Sequence, residues 1–484
     1  MKKSLLIAAA AVVSGSAFAA EPIDPATYDV VNGMCLKNRF LIAESNITGD
    51  LGGDRTALHD AYPMLSFKTA RTACIAKYNG KDVAILANSE DAGKKAKLYV
   101  IDIATGAIVK TVVPTIKGEA LSGTLCANQI GCDDYGHIWL KGAQFTTYKA
   151  ATDDAEGAAV PFVFYQVDLE TGALTEVATV AVTDYDEANA TDPTGGVTRI
   201  DYFDLVGDIT LTEDRCAIAC IPSNTGGGGL ALVAWEGEKG GEFKPMFKDG
   251  EEAIIKGAQG EIETHPANQS TWGTAPVTKI VKGDATDFSA SMFYLDGMTT
   301  TPALYDRNLA YIDGFKNAAS SLWPSVSPNG IIDIALNGNN YTAYVVRQYN
   351  EKKAETRICS LNEAMEFSSL EKMWDFPTGA LGGTSDGGNR IHCLSAKIYK
   401  DANDVEGAYI LNFKCYNGIG VYTFAPEGWV DPNGEVDGVN DIVADDTNAP
   451  VEYYNLNGVK VSGDLTPGLY ITRQGNKVAK QIVK

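Results

Sequence analysis

Two polar stretches hold the side chains best suited to bind a ligand. The stretch 377–393, PTGALGGTSDGGNRIHC, sets Asp386, Arg390 and His392 beside a glycine-rich backbone. These residue types can grip a carboxylate or pass a proton. The plainer alternative is a long connection between strands, with His392 part of a strand's core. In the stretch 264–274, THPANQSTWGT, polar residues surround His265 and Trp272, and a Trp in such company can stack on a sugar ring. Trp139, Trp235 and Trp374 stand in apolar runs and read as core, while Trp323, just before Pro324, reads either way. Trp272, His265, Asp386, Arg390 and His392 form the candidate binding set, and no residue stands out as catalytic.

Motifs for covalent chemistry are missing from the sequence. It contains no GxSxG, SxxK or HExxH, and no glycine-rich phosphate cradle followed by Lys. The four histidines, His59, His137, His265 and His392, are scattered and no CxxC occurs. Neither a zinc site nor any other metal or cofactor is expected. Nine cysteines, an odd number, leave at least one unpaired. Cys216 and Cys220 share one face of a predicted strand about 13 Å apart, too far for a bond. Cys74 and Cys393 sit inside apolar strands as small buried fillers. Mostly unpaired thiols are therefore expected, with Cys126 and Cys132 the pair to check first. The formal charge of −22 repels phosphate backbones, and no basic cluster with interleaved aromatics offsets it, so nucleic acid is not an expected partner.

The elements that must carry these loops are strands. The segments 98–113 (LYVIDIATGAIVKTVV) and 164–180 (FYQVDLETGALTEVATV) are near copies, each an apolar run to Asp, a Thr-Gly turn and a second apolar run. Each reads as a β-hairpin in which Asp102 or Asp168 accepts turn amides and Gly106 or Gly172 takes positive φ. The Asp-x-x-Thr-Gly turn resembles the outer-strand turn of quinoprotein-like and related propeller repeats. Around these hairpins, groups of four strand-like runs recur about every 60 residues. The reading is all-β, a β-propeller of about six four-stranded blades, with seven as the alternative count and tandem β-sandwiches as the competing fold. In this reading LWPSVS opens the fifth blade, KMWDFP opens the sixth, and the segment 39–43 supplies a further strand. Ser89 to Gly93 matches the first part of the Asp-box turn of sialidase-like propellers, but Ala96 stands where that motif needs Trp.

The ends read separately. Lys2 and Lys3, an apolar run from Leu5 to Val13 and the small residues of Ala17-Phe18-Ala19 have the make-up of a signal peptide over 1–20. No run approaches the length of a transmembrane helix. The propeller is assigned to 21–430. Residues 431–450, DPNGEVDGVNDIVADDTNAP, read as an acidic linker. They also fail as a calcium loop, with Val436 where Gly is needed and Ile442 where Glu is needed. A small β-domain follows at 451–484, with Tyr453-Tyr454, Gly458, Leu465, Gly468-Leu469-Tyr470 and a basic last strand bearing Lys477, Lys480 and Lys484. That tail resembles the C-terminal sorting domain of the type IX secretion system. The resemblance implies passage across the outer membrane, then release or surface attachment. The expectation is an exported monomer, extracellular or on the outer cell surface, with the periplasm as the fallback. Its propeller presents a loop-built face to a glycan or protein without catalysis. The alternative is a glycoside hydrolase or polysaccharide lyase working from carboxylates on the propeller face. A third reading makes the propeller a structural scaffold.

Overall fold

In the computed structural model, residues 1–23, 25, 48–53, 67–71, 91–94, 124, 143–147, 150–157, 182–199, 201, 222–229, 247–253, 258–276, 282–287, 289–290, 298–300, 308–309, 325–329, 348–354, 384–391, 435–451, 455–459, 462–467, 475–476 and 484 lie outside the described set; the remainder is described. Six four-stranded antiparallel sheets follow one another along the chain. Blade one holds Ala73–Tyr78, Lys81–Glu90, Lys95–Asp102 and Ile108–Val112 from inside outward. Blade two holds Gln129–Cys132, Ile138–Lys141, Phe162–Val167 and Leu174–Val180. Blade three holds Phe203–Gly207, Cys216–Cys220, Leu230–Gly237 and Phe243–Pro245, with Ile254–Gly257 also paired to its third strand. Blade four holds Val277–Val281, Met292–Asp296, Ala303–Asp306 and Tyr311–Gly314, and blade five Ile331–Leu336, Asn339–Arg347, Glu355–Leu361 and Glu371–Phe376.

The sixth blade joins the two ends of the unit. His392–Lys400, Glu406–Lys414 and Gly418–Pro426 are its first three strands, and its outer strand is Met34–Ala43, paired antiparallel with Gly418–Pro426 from Met34↔Pro426 to Ala43↔Gly418. This corrects two strand assignments. Glu371–Phe376 closes blade five and does not open blade six, and blade five opens with Ile331–Leu336; of LWPSVS, Leu322 ends a 3-10 turn that starts at Ser320, and residues 325–327 lie outside the described set. The physical reason is competition for an edge: a ten-residue apolar strand left by the N-terminus covers the exposed edge of Gly418–Pro426. Six blades are then complete.

Local chemistry sets the turns. The Asp102 carboxylate accepts the Ala104 amide at 2.8 Å while its carbonyl accepts Gly106 N–H at 2.8 Å. In the second copy, Asp168 accepts the Glu170 amide at 2.8 Å and the Thr171 hydroxyl at 2.6 Å. Gly106 and Gly172 have φ of +68° and +78°, the left-handed values expected of them. Middle strands are buried on both faces, as in CAIAC of blade three, because each blade lies between two others. The resulting core is a series of wedges such as that between blades two and three, where Phe162, Phe164, Phe203 and Trp235 pack together.

The propeller unit runs to Asn433, and Gly434–Lys484 is a second unit. Asp431, which the sequence places in the linker, is buried in the propeller at 8% exposure, bonded to Arg39 and Tyr409. In the second unit the sheet order is Lys460–Val461, Glu452–Tyr454, Gly468–Gln474, Lys477–Val483. Tyr453 and Tyr470 meet edge to face at 6.3 Å there. Among the described residues no helix is long and apolar enough to cross a membrane. No disulfide joins any of the nine cysteines, Cys126 and Cys132 included.

Candidate functional site

The six inner strands surround the axis of the propeller, and each begins at the end where connections from the preceding blade arrive. Because an inner strand is a sheet edge, half its backbone groups lack a ladder partner. Side chains from the adjoining blade supply that partner. The Thr72 hydroxyl donates to Ile130 O at 2.6 Å and accepts Ile130 N–H at 2.7 Å, tying blade one to blade two. Gln129 does the same for Phe203, donating Nε2 to its carbonyl and accepting its amide at 2.9 Å. Asp204 then accepts the Ile280 amide at 2.6 Å, and the Cys393 thiol reaches Ala73 O at 3.7 Å to bring blade six back to blade one.

Within this ring lies a channel of about 460 Å³, lined among others by Asp134, Asp204, Lys279, Asp333, Ser395 and Lys397. That volume falls within the usual range for small-molecule sites. Lys279 Nζ donates to Asp204 Oδ1 at 2.8 Å and stands 5.4 Å from the centre of the Tyr202 ring. Burial pulls the Lys279 ammonium down, but the Asp204 carboxylate outweighs it and raises the pKa, so the lysine stays charged. Cys74, Cys132 and Cys393 also line the channel. Burial pushes the Cys132 thiol up to about 11 and raises the other two, so these thiols are protonated at neutral pH and are weak nucleophiles.

Just past the inner strands of blades two and three, Asp133, which also lines the channel, brings its donor atoms together with those of His137 and Asp208 within 4.8 Å of one another. His137 Nδ1 lies 2.9 Å from Asp133 and 3.2 Å from Asp208. The carboxylates are already engaged by backbone. Asp133 accepts the amides of Tyr135, His137 and Ile209. Asp208 accepts those of Thr210, Thr212 and Glu213. Burial pushes Asp208 up, yet the Thr210 and Glu213 bonds prevail and leave it lowered to about 2. The cluster fits a clamp between the first turns of blades two and three better than a cation cage.

Of the residues singled out by sequence, His265, Trp272, Asp386 and Arg390 lie outside the described residues. Their stretches lead into inner strands, since Val277 and His392 are the first residues of blades four and six. His392 is fully buried, with Nε2 against Asn412 Oδ1, and burial lowers its pKa to about 3. Its unfolded pKa is near 6.5. Between those values the unfolded chain binds a proton that the folded chain does not. Stability contributed by the neutral ring is therefore complete above pH 6.5 and lost as the pH falls toward 3, at a slope of at most about 1.4 kcal/mol per pH unit. Urea midpoints from pH 7 to 4.5 should fall more steeply for the native protein than for His392→Leu; equal slopes would refute the assignment. Sequence reasoning passed over Asp204, Lys279, Ser395 and Lys397. The signal for them is a charge inside an apolar run that proves to be innermost, as in YFDLV, VTKIV and CLSAKIY.

No family model matches the chain, and no curated protein matches it. Solved structures do. A DUF4623 family protein from Bacteroides eggerthii is 14% identical with a TM-score of 0.50, over 75% of this chain and 72% of that one. AofleA from Arthrobotrys oligospora is 10% identical with a TM-score of 0.35, over 85% and 89%. The lectin of Aleuria aurantia, solved with α-methyl-L-fucoside, is 10% identical with a TM-score of 0.36, over 74% and 96%. At such identity the first likeness concerns the fold alone.

Proposed function

We propose that the protein is an exported, non-catalytic binding propeller that takes a glycan in its central channel. The observation that carries this reading is the channel itself: a cavity of about 460 Å³ whose wall mixes hydroxyl, ammonium and carboxylate groups from the inner strands. Such a wall can exchange hydrogen bonds with many hydroxyls while the blades stay rigid. Two of the carboxylates near it are already committed. Asp204 holds Lys279 and the Ile280 amide, and Asp133 holds three amides and His137. Neither is a free acid or base, which favours binding over hydrolysis. Export rests on the signal-like first twenty residues and the sorting-like tail.

The full-length protein on a glycan array should retain a defined set of glycans, and Ser395→Trp, which places an indole in the channel, should abolish that retention at an unchanged melting temperature. Retention untouched by Ser395→Trp would put the site elsewhere. An array with no retained glycan would overturn the glycan reading, and release of reducing sugar from a bound glycan would overturn the non-catalytic one.

A further inference from the structure

Resting on the channel as the binding site, we infer that its ligand carries a carboxylate, held by Lys397 with Ser395 beside it. Ser395 and Lys397 are two residues apart on the inner strand of blade six, so both point to the same side of that strand, and both line the channel. The two lysines of the channel wall differ in how they are neutralised. Lys279 is bonded to Asp204 at 2.8 Å. Among the described residues Lys397 makes no hydrogen bond or ion pair, and its ammonium lies 6.0 Å from the centre of the Tyr399 ring.

The acids near Lys397 are spoken for. Asp133 and Asp134 line the channel with it, and Asp82 is bonded to Tyr399, over whose ring the ammonium stands. Asp133 accepts three amides and His137. Asp134 accepts the Gly207 amide at 2.7 Å, and Asp82 accepts the Tyr399 hydroxyl at 2.7 Å. A half-buried ammonium left over in this way offers three donors to whatever enters the channel. Ser395 adds a hydroxyl two residues away, and a carboxylate with two acceptor oxygens suits both. The chain's net charge of −22 opposes the approach of an anion from a distance. That repulsion is screened beyond about 8 Å at physiological salt, whereas contact with Lys397 inside the channel is screened less. The acids of the wall also set a limit on the ligand's charge, because a multiply charged anion would meet Asp134.

The carboxylate could belong to an acidic sugar or to a simple organic acid, and calorimetry on the full-length protein separates the two. Galacturonate, galactose and cyclohexanecarboxylate would be titrated into the native protein, Lys397→Met and Lys397→Arg. Galacturonate should bind at least tenfold tighter than galactose and lose affinity as NaCl is raised. The ratio of the two affinities should fall toward one in Lys397→Met and be partly kept in Lys397→Arg. Cyclohexanecarboxylate matching galacturonate would keep the carboxylate and remove the sugar, overturning the glycan reading alone. Galactose matching galacturonate, or a preference untouched by Lys397→Met, would overturn the carboxylate assignment while glycan binding stands. No binding of any of the three would overturn it as well.

Discussion

Replacing Asp431 by Ala is expected to cost the propeller about 3–5 kcal/mol, read as a lowered urea midpoint and melting temperature. The Asp431 carboxylate sits between the outer and second strands of the closing blade. Arg39, from the N-terminal strand, gives it a charged bond, and the Tyr409 hydroxyl gives it another. The Asn433 amide adds a third at 2.8 Å. Arg39 and Asp431 side chains are only 4% and 5% exposed. Removing one charge leaves the other in a wall that water does not reach, and that residue of desolvation makes the loss large. Arg39 also lies 4.3 Å from the centre of the Tyr409 ring and donates to the Thr423 hydroxyl at 3.2 Å, so it is held in place after its partner goes. The double variant Arg39→Met/Asp431→Leu, with no charge to strand, should recover most of the loss. A loss below about 1 kcal/mol in Asp431→Ala would show that the pair is not what fastens the ends.

Trp235→Ala should be of similar size, about 3–5 kcal/mol, for a different reason. Trp235 is 1% exposed and fills the wedge between blades two and three, 5.6 Å from Phe162 in an edge-to-face contact. Phe162 in turn meets Phe203 at 5.5 Å, and Phe203 meets Phe164 at 5.2 Å. The hole left by the indole would sit among rings fixed on two rigid sheets, which limits how far it can collapse. Trp235→Phe keeps most of the volume but loses the Nε1 bond to Ala181 O at 3.0 Å, and should cost less than half as much. Equal losses in the two variants would shift the weight from packing to that single bond.

The contrast between these sites shows what the sequence could and could not convey. Trp139, Trp235 and Trp374 read correctly as core because their strands are apolar around them, and burial of an indole needs no knowledge of the partner. The two Asp-Thr-Gly hairpins were legible for the same reason: every bond of the turn lies within six residues. The closing strand was not, since Met34–Ala43 pairs with residues nearly 400 positions away and its own pattern says only that it is a strand. The channel was hidden further, because Asp204, Lys279 and Lys397 look like stray charges until the inner strand of each blade is known. His392 illustrates the middle case. Its sequence allowed both a loop ligand and a core residue, and the side chain is buried against Asn412.

The pairing of Met34–Ala43 with Gly418–Pro426 also fixes an order in time. The strand that completes the last blade is the earliest part of the ring to be synthesised, and its partner is among the latest. Until Gly418–Pro426 has formed, that strand has an apolar face and no sheet to receive it. Five blades can assemble as the chain grows, but the sixth waits for both ends, and the loop it closes is nearly the whole chain. The entropy of closing so long a loop rises only slowly with length, so the delay falls on the rate of folding far more than on final stability. A chain crossing a membrane as a thread would keep the ring open for the whole passage and shut it only after arrival.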